Sequence, residues 1–503
     1  MLKNSEKKPS KKFEDIKLKD LGKELARLQR EIQEKKIPVL IIFEGFDASG
    51  KGTMINEVIR ELDPRGYKVR VFHESTEEEQ RKPFLWRFWQ KIPKKGQIVI
   101  FDRSWYRRAM EESHVDVRTM KEDIEDIKNI EKQLSDDGVE IIKIFLHISK
   151  ETQKNRLKSL ESDEATSWRV KKKDINQNEK YDYYYSLFDG ILTQTNYSFS
   201  PWDVVISEDK EESSKQIMTI IEERLKTRIK ADEKSKEKDT IKDKIEKEKN
   251  PVSWMIDRLD LSLDLEKKEY SKMLNLLQSK IENLSYEMYR KKIPMILVFE
   301  GWDASGKGGA IKRLTFPMDP RGFEVIPISA PDETEKEYHY LWRFWKDIPK
   351  TGHTAIFDRS WYGRVMVERV EGFAKVHEWM RAYEEINQFE KHLRSYNAVI
   401  LKFFIHVDKD EQLQRFEKRK NDKDKSHKLT EEDWRNREKW EEYKNAIGEM
   451  IEKTDTLYAP WIVIEGNSKK YARIKVLEEV SKAMELAIGE YTLEQELSKE
   501  EGY

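Results

Sequence analysis

An α/β protein made by tandem duplication, each half a parallel sheet with helices on both faces and a helical lid, is what this sequence predicts. Three observations carry that expectation. One long block recurs at a fixed spacing, strand-length apolar runs alternate with helix-length stretches, and a glycine-rich turn around a lysine closes the first such run in each half.

KKIPVLIIFEGFDASGKG from Lys35 returns as KKIPMILVFEGWDASGKG from Lys291, an offset of 256 positions (291 − 35). The same offset joins Asp63-Pro64-Arg65-Gly66 to Asp319-Pro320-Arg321-Gly322, and Leu85-Trp86-Arg87-Phe88-Trp89 to Leu341-Trp342-Arg343-Phe344-Trp345. It also joins Phe101-Asp102-Arg103-Ser104-Trp105-Tyr106 to Phe357-Asp358-Arg359-Ser360-Trp361-Tyr362, and further on an offset of 259 (406 − 147) pairs His147 with His406. Residues 1–225 and 251–503 are therefore expected to form two like domains. Residues 226–250, almost all Lys, Glu, Asp, Ile and Ser, read as a charged linker or an exposed helix.

In the second copy, Met295–Phe299 is an unbroken apolar run, as a parallel strand buried on both faces requires, and it stops at Glu300. The turn beyond it sets Gly301, Gly306, Gly308 and Gly309 around Lys307, fitting the G-x-x-x-x-G-K pattern of a phosphate-binding loop, or P-loop. Glycines let backbone N–H groups converge on an anion, the next helix offers its positive end, and the lysine adds a mobile charge. Gly308 stands where a Ser or Thr usually follows, so the hydroxyl that normally holds Mg²⁺ is missing. Asp303 is the nearest oxygen ligand that could replace it. Phe323–Ile328, Thr354–Phe357, Val399–Val407 and Trp461–Ile464 read as four further strands separated by helical stretches, a pattern that makes a parallel sheet. A ligand beyond the carboxyl ends of these strands would meet both the loop and Asp358.

A length of 503 residues with 37% hydrophobic content is enough to build two cores. Although 38% of the residues are charged, 96 basic and 97 acidic ones cancel to a formal charge of −1. A whole-molecule field for nucleic acid is thereby excluded, and any polyanion must be held by a local basic groove. The absence of cysteine excludes disulfides, thiolate catalysis and Cys-type zinc sites, and suits a cytoplasmic protein. MLKNSEKKPSKKFED at the N-terminus has no apolar h-region, and no apolar run is long enough to span a membrane.

Asp358 closes an apolar run, where P-loop enzymes place the acid that manages the metal ion, and with Asp303 it could share one Mg²⁺ that also bridges phosphates. Arg359, Arg364 and Arg369 follow closely, and Lys312 and Arg313 lie just past the loop. Fixed cations of this kind bind phosphate oxygens and stabilise a transferring phosphoryl group, although in a chain this charged each could equally sit on a solvated face. Arg415 and Arg419, four apart on one helix face, head a basic segment with Lys418, Lys420, Lys423 and Lys425 whose place after the fourth strand suits a lid. Core packing explains the aromatic run Tyr340–Trp345 better than a base-stacking platform does, and His406 reads as a satisfied buried histidine.

GWDASGKGG from Gly301, DPRG from Asp319, YLWRFW from Tyr340, FDRSWYGR from Phe357, VERVEGF from Val367 and TDTLYAPWIVI from Thr454 together resemble the polyphosphate kinase type 2 family. Across nearly the whole chain the likeness is to its fused two-domain branch. That resemblance implies a P-loop kinase fold, transfer of the terminal phosphoryl group of inorganic polyphosphate to AMP giving ADP, and a requirement for Mg²⁺. On this chain it would make Lys307 and the loop glycines phosphate ligands, give Asp303 and Asp358 the metal, and have Arg359 and Arg364 clamp phosphates. Gly363 stands where single-domain members often carry Asn.

The two copies differ in charge. The first keeps Asp47, Lys51, Asp102, Arg103 and Arg108, but Lys312 corresponds to Asn56, Arg313 to Glu57, Arg369 to Ser113 and Arg419 to Leu160. The second copy is therefore expected to work, and the first to be inactive or weakly active. Two other readings compete: an ATP-dependent nucleotide kinase, against which Gly308 speaks, and a non-catalytic binder of polyphosphate or nucleotide, against which the intact Asp303, Lys307 and Asp358 speak. ADP as a further acceptor and assembly into a homo-oligomer are left open by the sequence.

Overall fold

The computed structural model describes residues 1–5, 16–112, 117–238, 254–422 and 430–500. They form two compact units, one of Met1–Glu74, Arg87–Ile245 and Lys336–His339, the other of Ser75–Trp86, Glu246–Glu335 and Tyr340–Tyr503. The units thus do not follow chain order, because each takes in a short segment from the other half of the sequence. Of the charged stretch 226–250, the part as far as Lys238 continues the helix Lys210–Lys238, and the rest lies outside the described residues.

The first unit holds strands β1 (Val39–Gly45), β2 (Tyr67–Val71), β3 (Ile98–Asp102), β4 (Glu140–His147) and β5 (Trp202–Ile206), in the spatial order β2-β3-β1-β4-β5. Its counterpart holds β6 (Met295–Gly301), β7 (Phe323–Pro327), β8 (Thr354–Asp358), β9 (Val399–His406) and β10 (Trp461–Glu465), in the order β10-β9-β6-β8-β7. All pairings are parallel, so the duplicated α/β architecture expected from the sequence is present, strand for strand.

The central strand β6 is buried from Met295 to Glu300, which is why its sequence is continuously apolar rather than alternating. On one face, Met295, Leu297 and Phe299 join Leu277 and Ile281 of helix Lys267–Arg290, Ala310 and Leu314 of the P-loop helix Lys307–Thr315, and Leu477 and Val480 of helix Lys469–Glu500. On the other, helix Val376–Ser395 is tied to β9 by a pair of fully buried charges. Lys402 Nζ lies 2.8 Å from Glu390 Oε2 and also donates to the Tyr362 hydroxyl and the Thr454 carbonyl. The first unit repeats the device with Lys143, Glu131, Tyr106 and Thr195. Such a pair survives burial because every polar atom is answered, and losing one partner costs about 3–5 kcal/mol.

The aromatic run is core, as expected: Leu341, Trp342, Phe344 and Trp345 are all buried. No helix among the described residues is long and apolar enough to cross a membrane.

Candidate active site

Parallel register brings the site together. Phe299 pairs with Asp358 and Gly301 with Ile405, so the P-loop leaves the sheet between the carboxyl ends of β8 and β9. Gly301 must be glycine here. Its φ is +144°, and a Cβ would sit 2.4 Å from the carbonyl oxygen of Ile405. Gly306, at φ +113°, turns the loop into the helix, whereas a Cβ at Gly308 would meet nothing within 4 Å. The residue after Lys307 is therefore small without being sterically confined.

Asp303 and Asp358 are each followed by a non-glycine residue in the left-handed region, Ala304 at φ 61° and Arg359 at φ 66°. Backbone of this kind costs on the order of 1–3 kcal/mol and persists only where its surroundings impose it, and the first unit repeats it at Ala48 and Arg103. Arg359 Nη2 donates to Asp303 Oδ1 at 3.0 Å, and Arg359 Nη1 lies 4.0 Å from Glu432. Lys307, half-buried, donates to the carbonyls of Gly301 (2.7 Å) and Trp302 (3.4 Å). Burial pulls its ammonium below the ordinary lysine range, while Asp303, Asp358 and Glu300 act to hold the proton on it. Glu300, buried beneath the loop, accepts from Ser360 Oγ at 2.8 Å, and burial raises its carboxyl above the usual range. One lysine and one aspartate of the loop, with the strand-end Asp358 and the arginine after it, thus form a single cluster of charge.

The remaining expected residues stand elsewhere. Arg364 pairs with Glu368 at 2.7 Å and lies over the Tyr340 ring. Arg369 bonds the Tyr383 hydroxyl at 2.6 Å, pairs with Glu449 at 2.7 Å and stacks on Trp379, so it clamps helices. Lys312 is exposed, and Arg313 bonds the Gly309 carbonyl of its own helix at 3.3 Å.

Arg415 corrects the lid expectation. It is buried, and its five N–H groups go to Glu411 and to the carbonyls of Ala304, Ser305, Gly466 and Asn467 at 2.6–3.0 Å. A guanidinium spent in this way buttresses the P-loop from behind and has no donor left for a phosphate chain. Arg156 does the same in the first unit, donating to the carbonyls of Ala48, Ser49, Ser207 and Glu208. Arg419 is half-buried and forms no ion pair with any described residue. Lys423 and Lys425 lie outside the described residues.

Two residues that the sequence did not single out complete the loop's surroundings. Asn436, on helix Glu431–Glu438, donates through Nδ2 to Asp303 Oδ2 at 2.9 Å, and Gln412 donates to the Asp303 carbonyl at 3.2 Å. A signal for Asn436 was available. Thr430 with Asp433 forms a capping box that starts its helix, and an amide, Gln177, stands at the matching place in the first copy. Trp302 stacks on Trp440 at 3.7 Å and donates to His406 Nδ1 at 2.9 Å, which is the satisfied histidine expected.

The first unit keeps the frame in a more closed form. Lys51 is buried, Asp47 takes Arg103 at 2.6 Å, Arg108 is held by Asp123 at 2.7 Å, and Glu57 at the place of Arg313 pairs with Lys210 and Arg60. Asp174 lies beside Asp47, and its own burial together with that neighbouring charge raises its carboxyl above the usual range. Ser113, opposite Arg369, lies outside the described residues.

Residues 8–234 and 264–490 each match the family described as polyphosphate kinase 2 (PPK2). The chain is 38% identical over 472 residues to a polyphosphate:AMP phosphotransferase of Pseudomonas aeruginosa, covering 93% of this chain and 95% of that one. A protein of the same description from Acinetobacter johnsonii is 32% identical over 485 residues, covering 94% and 96%. A crystal structure from Pseudomonas aeruginosa PA01, described as a polyphosphate kinase 2, superposes with a TM-score of 0.84 at 34% identity, over 97% of this chain and 99% of that one.

Proposed function

The chain belongs to the polyphosphate kinase 2 family, and from that premise we propose that its second unit transfers the terminal phosphoryl group of inorganic polyphosphate to AMP, giving ADP. The observation that carries this is the cluster of Asp303, Lys307, Asp358 and Arg359 at the carboxyl ends of adjacent strands. Full-length relatives named as polyphosphate:AMP phosphotransferases support the choice of substrates.

The chemistry asks little of a base. A nucleoside monophosphate loses its second proton near pH 6, so the attacking oxygen is already mostly anionic at neutrality. What the site must do is align two polyanions and cancel their repulsion. Lys307 and Arg359 supply fixed positive charge, and the P-loop backbone with its helix N-terminus supplies donors. Asp303, gripped by Arg359 and Asn436, and Asp358 are the residues that would hold Mg²⁺. Their oxygen-only pair fits that ion. Among the described residues no group of three acidic or histidine side chains is assembled for a metal. Held by Asp303 and Asp358, Mg²⁺ would supply positive charge toward the phosphates.

Purified protein given AMP, Mg²⁺ and polyphosphate should form ADP, and should form little when ATP replaces polyphosphate. Equal or better turnover with ATP would make the protein an ATP-dependent nucleotide kinase. Turnover with ADP in place of AMP would widen the acceptor range.

A further inference from the structure

We propose that Asn436 is a positioning residue that fixes the carboxylate of Asp303, and that the Tyr443 hydroxyl aims it by donating to the Asn436 side-chain oxygen. The proposal rests on the reading of Asp303 as part of the phosphoryl-transfer site. Asn436 and Tyr443 lie outside the motifs that carry the family resemblance.

A carboxylate can be served only by the NH₂ end of an amide, and an asparagine side chain can present either end. Here the choice is made by a neighbour. The Tyr443 hydroxyl, on helix Trp440–Thr454, lies 3.0 Å from Asn436 Oδ1 and 3.3 Å from Glu371 Oε1, and it has one proton to give. Glu371 accepts from Lys439 Nζ at 3.1 Å and pairs with Arg435 at 3.2 Å, both through Oε2. Of the two acceptors that face the phenol, Asn436 Oδ1 is the nearer, and with the proton there the NH₂ end faces Asp303. Burial, with the Glu371 charge, raises the Tyr443 phenol above its ordinary range and keeps it a donor.

Asp303 is then held at both oxygens, Oδ1 by Arg359 at 3.0 Å and Oδ2 by Asn436 at 2.9 Å. Each carboxylate oxygen retains a further lone pair, and the two grips fix the direction in which those pairs point. Two separate helices contribute, that of Asn436 and that of Tyr443.

The first unit shows the same frame without the relay. At the place of Asn436, Gln177 is one methylene longer, and its Oε1 accepts from the Asp47 backbone N–H at 2.8 Å and from Gln153 at 2.8 Å. It serves the main chain there, leaving the carboxylate to other groups. Arg435 has become Asn176, and Glu371 falls in a stretch where the second copy is three residues longer, as the change of offset from 256 to 259 records.

The test uses full-length protein with Asn436→Ala, Asn436→Gln, Tyr443→Phe and the double variant Asn436→Ala/Tyr443→Phe. ADP formation should fall roughly 10- to 100-fold in kcat for both Asn436 variants and about 10-fold for Tyr443→Phe, with KM for either substrate within about twofold. Because Tyr443 acts through Asn436, the double variant should be no slower than Asn436→Ala alone. Wild-type turnover by Tyr443→Phe, rescue by Asn436→Gln, or additive losses in the double variant would each overturn the proposal. The substrate assignment fails separately, if wild-type protein makes no ADP from polyphosphate and AMP. The relay is then read in crystals of Asn436→Ala, where the Asp303 carboxylate should turn from its present orientation; an unmoved carboxylate overturns it.

Discussion

Arg359 Nη2 stands 3.0 Å from Asp303 Oδ1, joining the end of β8 to the loop that follows β6. The pair is not a stability device, since the arginine side chain is 45% exposed and pairs of that kind contribute at most about 1 kcal/mol. Its effect is geometric. A carboxylate and a guanidinium are held in register before any substrate arrives, so under the proposed function their alignment is not made at the expense of binding energy.

Lys307→Ala and Asp358→Asn should each lower turnover by ~10²-fold or more while leaving thermal unfolding in place, since both groups act on charge that develops during transfer. Near-normal rates from either variant, with unchanged stability, would remove that residue from the site.

Arg415 and Arg419 should separate cleanly. Arg415→Ala strips donors from four carbonyls around the P-loop and should cost about 3 kcal/mol or more, lowering Tm by roughly 6–12 °C. Arg419→Ala should leave Tm alone and raise the polyphosphate requirement, with a flatter salt dependence of KM. If Arg415→Ala were as stable as the wild type and selective for polyphosphate, the buttress reading would be wrong.

The first unit should tolerate the loss of its loop lysine. Asp47, Arg103 and Arg108 already have partners within the unit, and the counterparts of Lys312, Arg313 and Arg419 are Asn56, Glu57 and Leu160. Lys51→Ala should therefore retain most ADP formation. Damage equal to that of Lys307→Ala in a folded protein would show that both loops take part.

His406 sets a pH dependence of stability. Burial, helped by the Lys444 charge, lowers its pKa from 6.5 to about 4, and as acceptor for Trp302 Nε1–H its Nδ1 has to stay unprotonated. The unfolded chain binds a proton near pH 6.5 and the folded one only near 4, so stability is full above about 6.5 and falls as pH drops between the two. The loss reaches up to about 3 kcal/mol. Urea midpoints measured across that window should fall for the wild type and fall less for His406→Gln; parallel curves would exclude His406 as the cause.

How far the sequence could be read depended on the range over which each signal acts. Strand β6, the P-loop and Asp358 were legible because burial on both faces and phosphate binding each leave a local pattern, a continuous apolar run or a glycine spacing. For Asn436 the capping box and the matching Gln177 mark only the helix and the amide, while its contact with Asp303 spans 133 positions and leaves no local pattern. Arg415 was legible as a helix-borne cation but not as a buttress. Four carbonyl acceptors belong to the backbone of other segments, and a side chain's sequence neighbours do not reveal them. The partners of Arg364 and Arg369, namely Glu368, Tyr340, Glu449 and Tyr383, were hidden for the same reason, being set by packing.

The segment Ser75–Trp86 counts with the second unit, where Arg81 and the Thr351 backbone exchange hydrogen bonds at 2.9 and 3.1 Å. During synthesis it leaves the ribosome long before the rest of that unit, and the first unit in turn awaits Lys336–His339. Neither unit holds all of its segments when its own half of the chain has emerged. The usual order, in which an N-terminal domain completes itself first, would here leave that unit without Lys336–His339. Maturation of the two halves is coupled in time, and a chain arrested near residue 300 should expose an incomplete first unit to proteolysis.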